Sequence, residues 1–222
     1  MEIGYTDRIA EEIPESGLLF EKTEATMGKR SEKNTKMKIA TAAWKLFSER
    51  GYDETTVEDI IEAAETSRGT FYHYFEGKDA LFGTMSFLFD EAYSRLEAEM
   101  DPNLTAFEKL LYLNREIFAY VENNLMVDML TRMYSTQLVT HGEKHLLDRN
   151  RVYYRLLRQI IEEGQRSGEL SRDYTVNEIV KGYSMIERGM LYDWCICDGE
   201  YRLARYAEDM MPKFLSGFLN EN

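Results

Sequence analysis

The amino-acid sequence predicts an all-α fold on the basis of three features. Apolar residues recur at three- and four-residue spacings through most of the 222-residue chain, which is the period of helices that are buried on one face. Runs that alternate between apolar and polar residues, as strands do, are few. The chain contains only three prolines, so few positions would interrupt long helices.

The chain carries no sign of membrane insertion or secretion. No apolar run approaches the roughly 20 residues that cross a bilayer, and the start of the chain lacks the pattern of a signal peptide. Cys195 and Cys197 stand two apart in a predicted helix, where they would not share a face or form a disulfide. We therefore expect a cytoplasmic protein with reduced thiols and no membrane partner.

Two short amphipathic helices are predicted before residue 65. The first has one apolar face, formed by Ile39, Ala43, Leu46 and Phe47, and it ends at Gly51. The second begins at Thr56, whose hydroxyl can cap the helix while Asp59, three residues on, completes a capping box. Its buried stripe consists of Val57, Ile60, Ile61 and Ala64.

A third short helix follows at once and has two unlike faces. Ser67 is suited to be its N-cap, while Phe71 and Phe75 are four apart and would be buried on one side. Gly77 is placed to stop the helix. The other faces carry hydrogen-bonding and aromatic groups from Arg68, Thr70, Tyr72, His73 and Tyr74. Two helices joined by a tight turn predict a helix-turn-helix, whose second helix lies in the major groove of DNA.

Four segments together form a specific pattern: Ala42-Ala43 to Arg50-Gly51-Tyr52, Thr55-Thr56-Val57, Ser67 to Phe75, and Lys78 to Phe82. With them, residues 39–82, about a fifth of the chain, resemble the DNA-binding head of the TetR (tetracycline-repressor-like) family. One difference lies in the turn, where Glu65 and Thr66 replace the family's usual Gly and small apolar residue. If the turn requires a positive φ, Glu65 destabilises it by an order of 1 kcal/mol.

Ten residues are candidates for contacts with double-stranded DNA: Lys33, Lys36, Thr56, Ser67, Arg68, Gly69, Thr70, Tyr72, His73 and Lys78. Arg68 is the main candidate for base readout, because its guanidinium fork matches guanine O6 and N7. The alternative is a surface arginine that pairs with Glu62 or Glu65. Thr70 would touch a thymine methyl or a phosphate, and Thr56 a phosphate. The resemblance implies phosphate contacts for Tyr72, His73 and Lys78.

The net charge of −13 is unevenly distributed. Residues 28–50 carry seven basic and two acidic side chains, a net charge of +5, whereas residues 51–78 carry two basic and seven acidic ones, or −5. The basic cluster favours a modest non-specific affinity for nucleic acid. We expect an acidic, flexible lead over residues 1–27, a helix-turn-helix domain over 28–78, and a helical effector-binding and dimerisation domain over 79–222.

Six further helices are predicted after residue 78. Apolar stripes place them at about 81–100, 107–121, 125–138, 144–165, 176–196 and 201–219. Pro212 should kink the last helix or mark a restart. The last two helices carry apolar arcs broad enough to pack against their own chain on one side and a second chain on the other.

The resemblance implies a homodimer in which these last two helices form a four-helix bundle with their twins. The candidate interface residues are Ile179, Tyr183, Ile186, Met190, Tyr206, Met210, Phe214 and Phe218. A two-fold dimer would present two heads to successive turns of DNA, about 34–36 Å apart in the simplest case. The expected operator is therefore a near-palindrome.

The resemblance also implies an effector pocket among the central helices. Aromatic and methionine side chains are its candidates: Tyr112, Phe118, Met126, Met129, Met133, Tyr134, Tyr153, Met185 and Trp194. Such residues at helical spacing are more often core than ligand-binding. Glu116, Glu187 and Arg188 are further candidates for orienting a polar ligand, although exposed positions are the simpler expectation. Cationic or amphipathic drugs, fatty acyl compounds and aromatics remain open as effectors.

Enzyme and metal chemistry are weakly indicated. His141 and His145 are four apart, but Glu143 is in neither position that a helical zinc-protease motif requires. No phosphate-binding loop, nucleophile elbow or cysteine–histidine cluster is present, so we expect no cofactor, metal or enzymatic activity. The sequence predicts a DNA-binding regulator, most simply a repressor released by a small molecule. A division or nucleoid factor without a ligand, or less simply a metal-responsive regulator, is the alternative.

Overall fold

The computed structural model describes residues 31–139 and 144–220, and across these residues it forms helices without strands. Nine α helices lie in this described part of the chain: α1 (Ser31–Arg50), α2 (Val57–Ala63), α3 (Arg68–Tyr74), α4 (Met85–Glu99), α5 (Ala106–Asn124), α6 (Val127–Val139), α7 (Val152–Ser167), α8 (Val176–Ile196) and α9 (Leu203–Leu215). The all-α prediction is therefore confirmed.

The described residues form two compact units that divide between Tyr74 and Phe75. The first contains α1 to α3 and is called the head below. The second contains α4 to α9 and is called the body. The predicted domain limits, with the head ending at residue 78, remain a prediction. No helix of the described part is both long and apolar enough to span a membrane.

The head is held together by a small aromatic and aliphatic core. α1 packs against α2, and α2 packs against α3. Trp44 and Phe47 on α1 are buried with their rings edge to face at 5.5 Å, and Tyr52 lies 5.1 Å from Phe47. Ile60 on α2 and Phe71 on α3 have no exposed surface. Helices this short are stable mainly through such packing.

The start of α2 confirms the predicted cap. The Thr56 hydroxyl accepts a hydrogen bond from the Asp59 backbone N–H at 3.1 Å, and the Asp59 carboxylate accepts one from the Thr56 N–H at 2.8 Å. These bonds satisfy two backbone donors that a helix start otherwise leaves without partners. The Thr56 hydroxyl also donates to the Asp59 carboxylate at 2.5 Å. This bond, and then the one from the Thr56 N–H, lower the pKa of the Asp59 carboxyl, because they favour its ionised form.

The turn between α2 and α3 contains the strained residue that the sequence suggested. Glu65 has a φ of +45°, in the left-handed region where a Cβ is crowded. Its carboxylate pairs with Lys38 on α1 at 3.0 Å, but both side chains are exposed, and such pairs contribute about 0–1 kcal/mol. The turn is therefore formed despite the side chain at this position.

We expect the change Glu65→Gly to raise the free energy of unfolding of the head by about 0.5–1 kcal/mol, because glycine adopts a positive φ without strain. Urea denaturation followed by circular dichroism measures the change. The matched control is Glu62→Gly, an exposed position inside α2, which should instead destabilise the head by about 0.5–1 kcal/mol. Changes of the same sign in both variants would contradict the assigned strain.

The body differs from the prediction at three helix boundaries. Residues Lys78–Thr84 form a 3₁₀ helix, so that α4 begins at Met85 rather than near residue 81. The helix predicted from residue 144 is divided: a 3₁₀ turn covers His145–Leu147, and α7 starts only at Val152. α9 continues through Pro212 to Leu215, so no restart occurs there.

Gly164 permits a close approach of two helices in the body. A Cβ at Gly164 on α7 would lie 2.6 Å from the Ala106 Cβ and 2.7 Å from Leu170. Glycine is therefore the residue that lets α7 approach the start of α5. The Glu169 carboxylate then accepts hydrogen bonds from the backbone N–H groups of Ala106 and Phe107 at 2.8 and 3.2 Å, which caps α5. These contacts fix the helices that surround the cavity described below.

Candidate nucleic-acid interface and effector cavity

α3 is anchored on one side and exposed on the other. Ser67 caps it as predicted: its Oγ accepts a hydrogen bond from the Thr70 backbone N–H at 3.0 Å and lies 2.8 Å from the Thr70 hydroxyl. Phe71 is fully buried, and Phe75, just beyond the helix, is also buried. The cap and the buried ring fix how the helix presents its remaining side chains.

Most of the predicted DNA-contacting residues of this segment lie on its exposed side. Ser67, Arg68, Gly69 and His73 are exposed and Thr70 is half-buried. Tyr72 is 45% exposed, with its ring 5.3 Å from that of Phe71. An exposed aromatic flanked by an arginine and a histidine is unusual for a helix that only covers a core.

Arg68 has a weak partner that the sequence did not suggest. Its guanidinium lies 3.4 Å from the Glu58 carboxylate on α2, and the two side chains are 71% and 64% exposed. The predicted partners were Glu62 and Glu65, but Glu65 instead pairs with Lys38. An ion pair this exposed contributes little, so Arg68 can exchange Glu58 for another acceptor at small cost.

The other predicted contact residues are spread over the chain. Thr56 is exposed, and its hydroxyl is engaged in the cap of α2. Lys36 lies exposed on α1. Lys33 also belongs to α1, but its side chain is outside the described part of the structure, and Lys78 is half-buried at the start of the 3₁₀ helix of the body.

The body contains a cavity among α4, α5, α6, α7 and α8. It opens to solvent and has a volume of about 60 Å³, which is smaller than a typical site for a drug-sized molecule. Most of its lining is apolar or aromatic, and the polar side chains are few. The lining residues are Phe89, Tyr93, Ile117, Phe118, Met133, Tyr134, Leu146, Arg151, Tyr153, Glu187, Arg188 and Leu191.

Four of the nine predicted pocket residues line this cavity, namely Phe118, Met133, Tyr134 and Tyr153. The other five lie outside this lining, and their role in ligand binding stays a prediction. Met129 and Trp194 are buried in the core away from the cavity lining, and the Trp194 ring N–H donates to the Tyr201 carbonyl at 2.9 Å. Met126 and Met185 are exposed, and Tyr112 lies half-exposed beside Arg115.

Glu187 is the main functional candidate that the sequence analysis placed wrongly, since an exposed position was expected. Only 4% of the residue is exposed. One carboxylate oxygen accepts a hydrogen bond from the Asn114 amide at 3.1 Å, and the other accepts one from the Tyr153 hydroxyl at 2.5 Å. Burial raises the pKa of the Glu187 carboxyl, and these hydrogen bonds partly oppose the rise.

A signal for Glu187 was present in the sequence. The buried stripe of α8 includes Ile179, Tyr183 and Met190, and Glu187 stands four residues after Tyr183. A residue four positions after a buried one shares its helix face, so a carboxylate was predictable on the inner side of α8. The sequence gives no comparable signal for Phe89, Tyr93 and Leu146. Apolar residues at helical spacing are expected in a solid core as much as in the lining of a cavity.

The two arginines of the cavity differ in their partners. Arg151 forms an ion pair with Asp90 on α4 at 3.0 Å, with both side chains largely buried, and it donates to the Ser86 carbonyl at 3.1 Å. Arg188 is half-buried and donates to the Tyr154 hydroxyl at 3.3 Å. The first arginine is therefore neutralised by an ion pair, whereas the second donates to an uncharged hydroxyl and its charge acts on Glu187 without an ion pair.

The predicted interface residues also separate into two groups. Ile179, Tyr183 and Met190 are buried within the single chain, so a second chain cannot cover them and the prediction was wrong there. Tyr206 and Phe214 are exposed on α9, while Ile186, Met210 and Phe218 are half-buried. The exposed apolar residues of α8 are Met185, Tyr192 and Ile196, which the sequence analysis did not assign to an interface.

The possible metal-binding pair lies outside the described part of the structure. His141 and Glu143 are not described, and neither is the side chain of His145. Within residues 31–139 and 144–220, no group of three or more histidine, cysteine, aspartate or glutamate side chains is arranged to hold a metal ion.

A helix-turn-helix head and a separate helical body that contains a cavity define a DNA-binding transcriptional regulator. Residues 39–85 match the family model described as bacterial regulatory proteins, tetR family. The head therefore carries the DNA-binding domain of the TetR family, as its sequence pattern suggested.

Relatives of known name agree with this family. The chain is 24% identical over 194 residues to the fatty acid metabolism regulator protein of Bacillus subtilis (strain 168), which covers 83% of this chain and 96% of that protein. It is 25% identical over 141 residues to the regulator QacR of Staphylococcus aureus, covering 61% and 73% of the two chains. The structure of Thermus thermophilus FadR, a repressor in complex with lauroyl-CoA, has the same fold: the TM-score is 0.68 at 23% identity, over 84% and 96% of the chains.

Proposed function

We propose that the protein is a dimeric repressor that binds a near-palindromic operator and is released when a small molecule occupies the body cavity. The observation that carries the proposal is the exposed side of α3. A buried phenylalanine and a serine cap fix this helix, and its free side presents Arg68, Tyr72 and His73. This is the arrangement of a helix that enters the major groove.

Charge supports binding to DNA through α1 as well as α3. The first helix carries Lys36, Lys38, Lys45 and Arg50, although the whole chain has a net charge of −13. Basic side chains near the recognition helix hold phosphates, whereas an acidic remainder limits binding to unrelated DNA. The affinity should therefore depend strongly on salt and on the presence of a matching site.

Ligand release is supported by the cavity and by one relative. The cavity lies entirely in the body, and its lining combines aromatic rings with a few polar groups, as small-molecule sites do. The Thermus repressor of the same fold was solved with lauroyl-CoA, which supports a small-molecule effector here. A compound that fills the cavity of this protein should lower its affinity for operator DNA.

Dimer formation is supported by exposed apolar stripes on the last two helices. Met185, Tyr192 and Ile196 follow one another on α8 at steps of seven and four residues, so they share a helix face. Tyr206, Met210 and Phe214 form a similar stripe on α9, which packs beside α8. Neighbouring apolar stripes of this kind mark protein–protein contact surfaces.

The test of the proposal is selection of bound sites from random DNA with the full-length protein at a stated salt concentration. We expect an enriched near-palindrome whose two halves are bound by one dimer. Recovery of sequences without a common motif, at an affinity that depends only on salt, would indicate non-specific binding and would reject the repressor assignment.

We expect Arg68→Ala to weaken operator binding by about 1–3 kcal/mol and to relax the base preference at one position of each half-site. Repeating the selection with the variant measures both effects. The control is Lys36→Ala on α1, which should weaken binding to all sequences alike. It should also reduce the slope of the logarithm of the binding constant against the logarithm of the salt concentration by about one. If Arg68→Ala also weakens all sequences alike, Arg68 does not read a base.

A further inference from the structure

We propose that the body cavity takes a cationic ligand with an apolar body, whose positive charge lies against the Glu187 carboxylate. This inference rests on the ligand-binding cavity of the proposed function and names the chemical class of its ligand. It is carried by three observations on the described residues: a buried carboxylate without an ion pair, the aromatic rings around it, and the partners of the nearby arginines.

Glu187 is a buried acid that forms no ion pair with a described residue, although the charge of Arg188 acts on it and partly opposes the rise that burial causes in the pKa of its carboxyl. Among the residues that the structure describes, no lysine, arginine or histidine nitrogen lies within 4.0 Å of its carboxylate. Asn114 and Tyr153 donate hydrogen bonds to it, but neutral donors do not cancel its charge. Burial of an unpaired carboxylate costs several kcal/mol.

The carboxylate has room for a further contact. Its two oxygens accept hydrogen bonds from Asn114 at 3.1 Å and from Tyr153 at 2.5 Å, and the Tyr183 hydroxyl is a third neighbour that favours the ionised form. A carboxylate has about four acceptor positions in all. Glu187 also belongs to the cavity lining, so its remaining acceptor positions are within reach of a molecule in the cavity.

Aromatic rings surround the same space. Five of the twelve lining residues are aromatic, and they come from four helices: Phe89, Tyr93, Phe118, Tyr134 and Tyr153. Two of these rings, Tyr93 and Tyr153, lie 4.9 Å apart. The faces of aromatic rings attract cations, most strongly where water is excluded, and groups of rings bind quaternary ammonium ions. Rings and a buried carboxylate together favour a positive group with hydrocarbon around it.

The arginines of the lining do not reverse this preference. The charge of Arg151 is matched by Asp90 at 3.0 Å, so the pair adds no net charge to the cavity. Arg188 is half-buried and keeps contact with water, and it donates to Tyr154. Its charge also acts on Glu187, but none of its nitrogens pairs with that carboxylate within 4.0 Å. A partly hydrated arginine does not require a partner, whereas the buried Glu187 does. An anionic ligand would face that carboxylate.

The experiment compares three probes that share a ten-carbon chain and differ in head charge: decyltrimethylammonium, decanoate and decanol. Calorimetric titration of the full-length protein with each probe, below the concentration at which it forms micelles, gives the three affinities. We expect the cation to bind about 10-fold tighter than the other two, because it gains the carboxylate and the rings. Tighter binding of decanoate, equal binding of all three, or binding of none overturns the inference.

Two variants assign the preference to Glu187. Glu187→Gln should remove the preference for the cation while decanol binds as before. Glu116→Gln, which changes a carboxylate of α5 outside the cavity lining and paired with Arg115, should leave the preference intact. An unchanged preference in Glu187→Gln overturns the assignment, and the three-probe comparison on the natural chain decides the ligand class even if that variant does not fold.

The inference and the proposed function fail in different ways. Titration of operator DNA with the protein, with and without decyltrimethylammonium, measures release. Tight binding of the cation without release keeps the ligand class and rejects ligand-controlled repression. Release of DNA by decanoate, with the cation inactive, keeps the proposed function and overturns the cationic class.

Discussion

Replacing Phe71 by alanine should unfold the head and abolish operator binding. The ring has no exposed surface and anchors α3, which is only seven residues long. Loss of a fully buried phenylalanine costs about 3–5 kcal/mol, and a small three-helix unit has little stability beyond that. Without this anchor, α3 cannot hold its exposed side in a fixed orientation for the groove.

The two tryptophans allow the head to be observed separately. Trp44 lies in the core of the head and Trp194 in the body, and the chain has no other tryptophan. In a Trp194→Phe background, urea unfolding followed by tryptophan fluorescence reports the head alone. Phe71→Ala should then shift the head's transition to much lower urea, and operator binding should disappear at the same protein concentration.

Tyr72→Ala is the matched control for Phe71→Ala. It removes the adjacent aromatic ring, which is 45% exposed, so the free energy of unfolding should change by less than about 1 kcal/mol. Operator binding should still weaken, because Tyr72 lies on the proposed contact side. Equal loss of stability in the two variants would show that α3 is not anchored on the Phe71 side.

The head was predictable because its signals are local. The cap at Thr56 needs only Asp59 three residues on, and the burial of Phe71 follows from its spacing within one helix turn. The strain at Glu65 was foreseeable from the turn alone, and its φ of +45° confirms it. Such features depend on neighbours within a few residues, which a sequence displays directly.

The cavity was only partly predictable because it depends on contacts between helices distant in sequence. Helical spacing identifies the buried faces of α6 and α8, but it does not tell which of the buried residues line a cavity and which pack in the core. Met129 and Met133 are both buried on α6, yet only Met133 lines the cavity. Glu187 follows the same rule: its face was predictable, whereas Asn114 and Tyr153 as its partners were not.

The interface residues show a further limit of periodicity. Ile179 and Met190 satisfy the apolar period of α8, and they are buried in the body of their own chain. The exposed Tyr192 and Ile196 belong to a second stripe on the same helix. A broad apolar arc indicates that a helix is covered on two sides. The arc does not tell which side packs against the helix's own chain, because that depends on the arrangement of the whole fold.

Phe214→Glu should convert the dimer to a monomer and weaken operator binding by at least about 100-fold. Phe214 lies on the exposed apolar stripe of α9 and is 46% exposed in the single chain. A carboxylate at the centre of an apolar interface is buried without a partner, which costs several kcal/mol. Two linked heads bind a two-half site about 10²–10⁴ times more tightly than one head does, and a monomer loses that gain.

Phe87→Glu provides the control, because it makes the same substitution on α4 at a similar exposure of 39%, away from α8 and α9. Sedimentation velocity gives the oligomeric state of both variants, and fluorescence anisotropy with a full operator and a half-site gives their affinities. We expect Phe214→Glu to bind the full operator no better than the half-site, while Phe87→Glu retains the difference. Both variants gain one acidic charge, so a general electrostatic repulsion from DNA would lower the operator affinity of both equally. A lower operator affinity in Phe214→Glu alone therefore reports loss of the dimer.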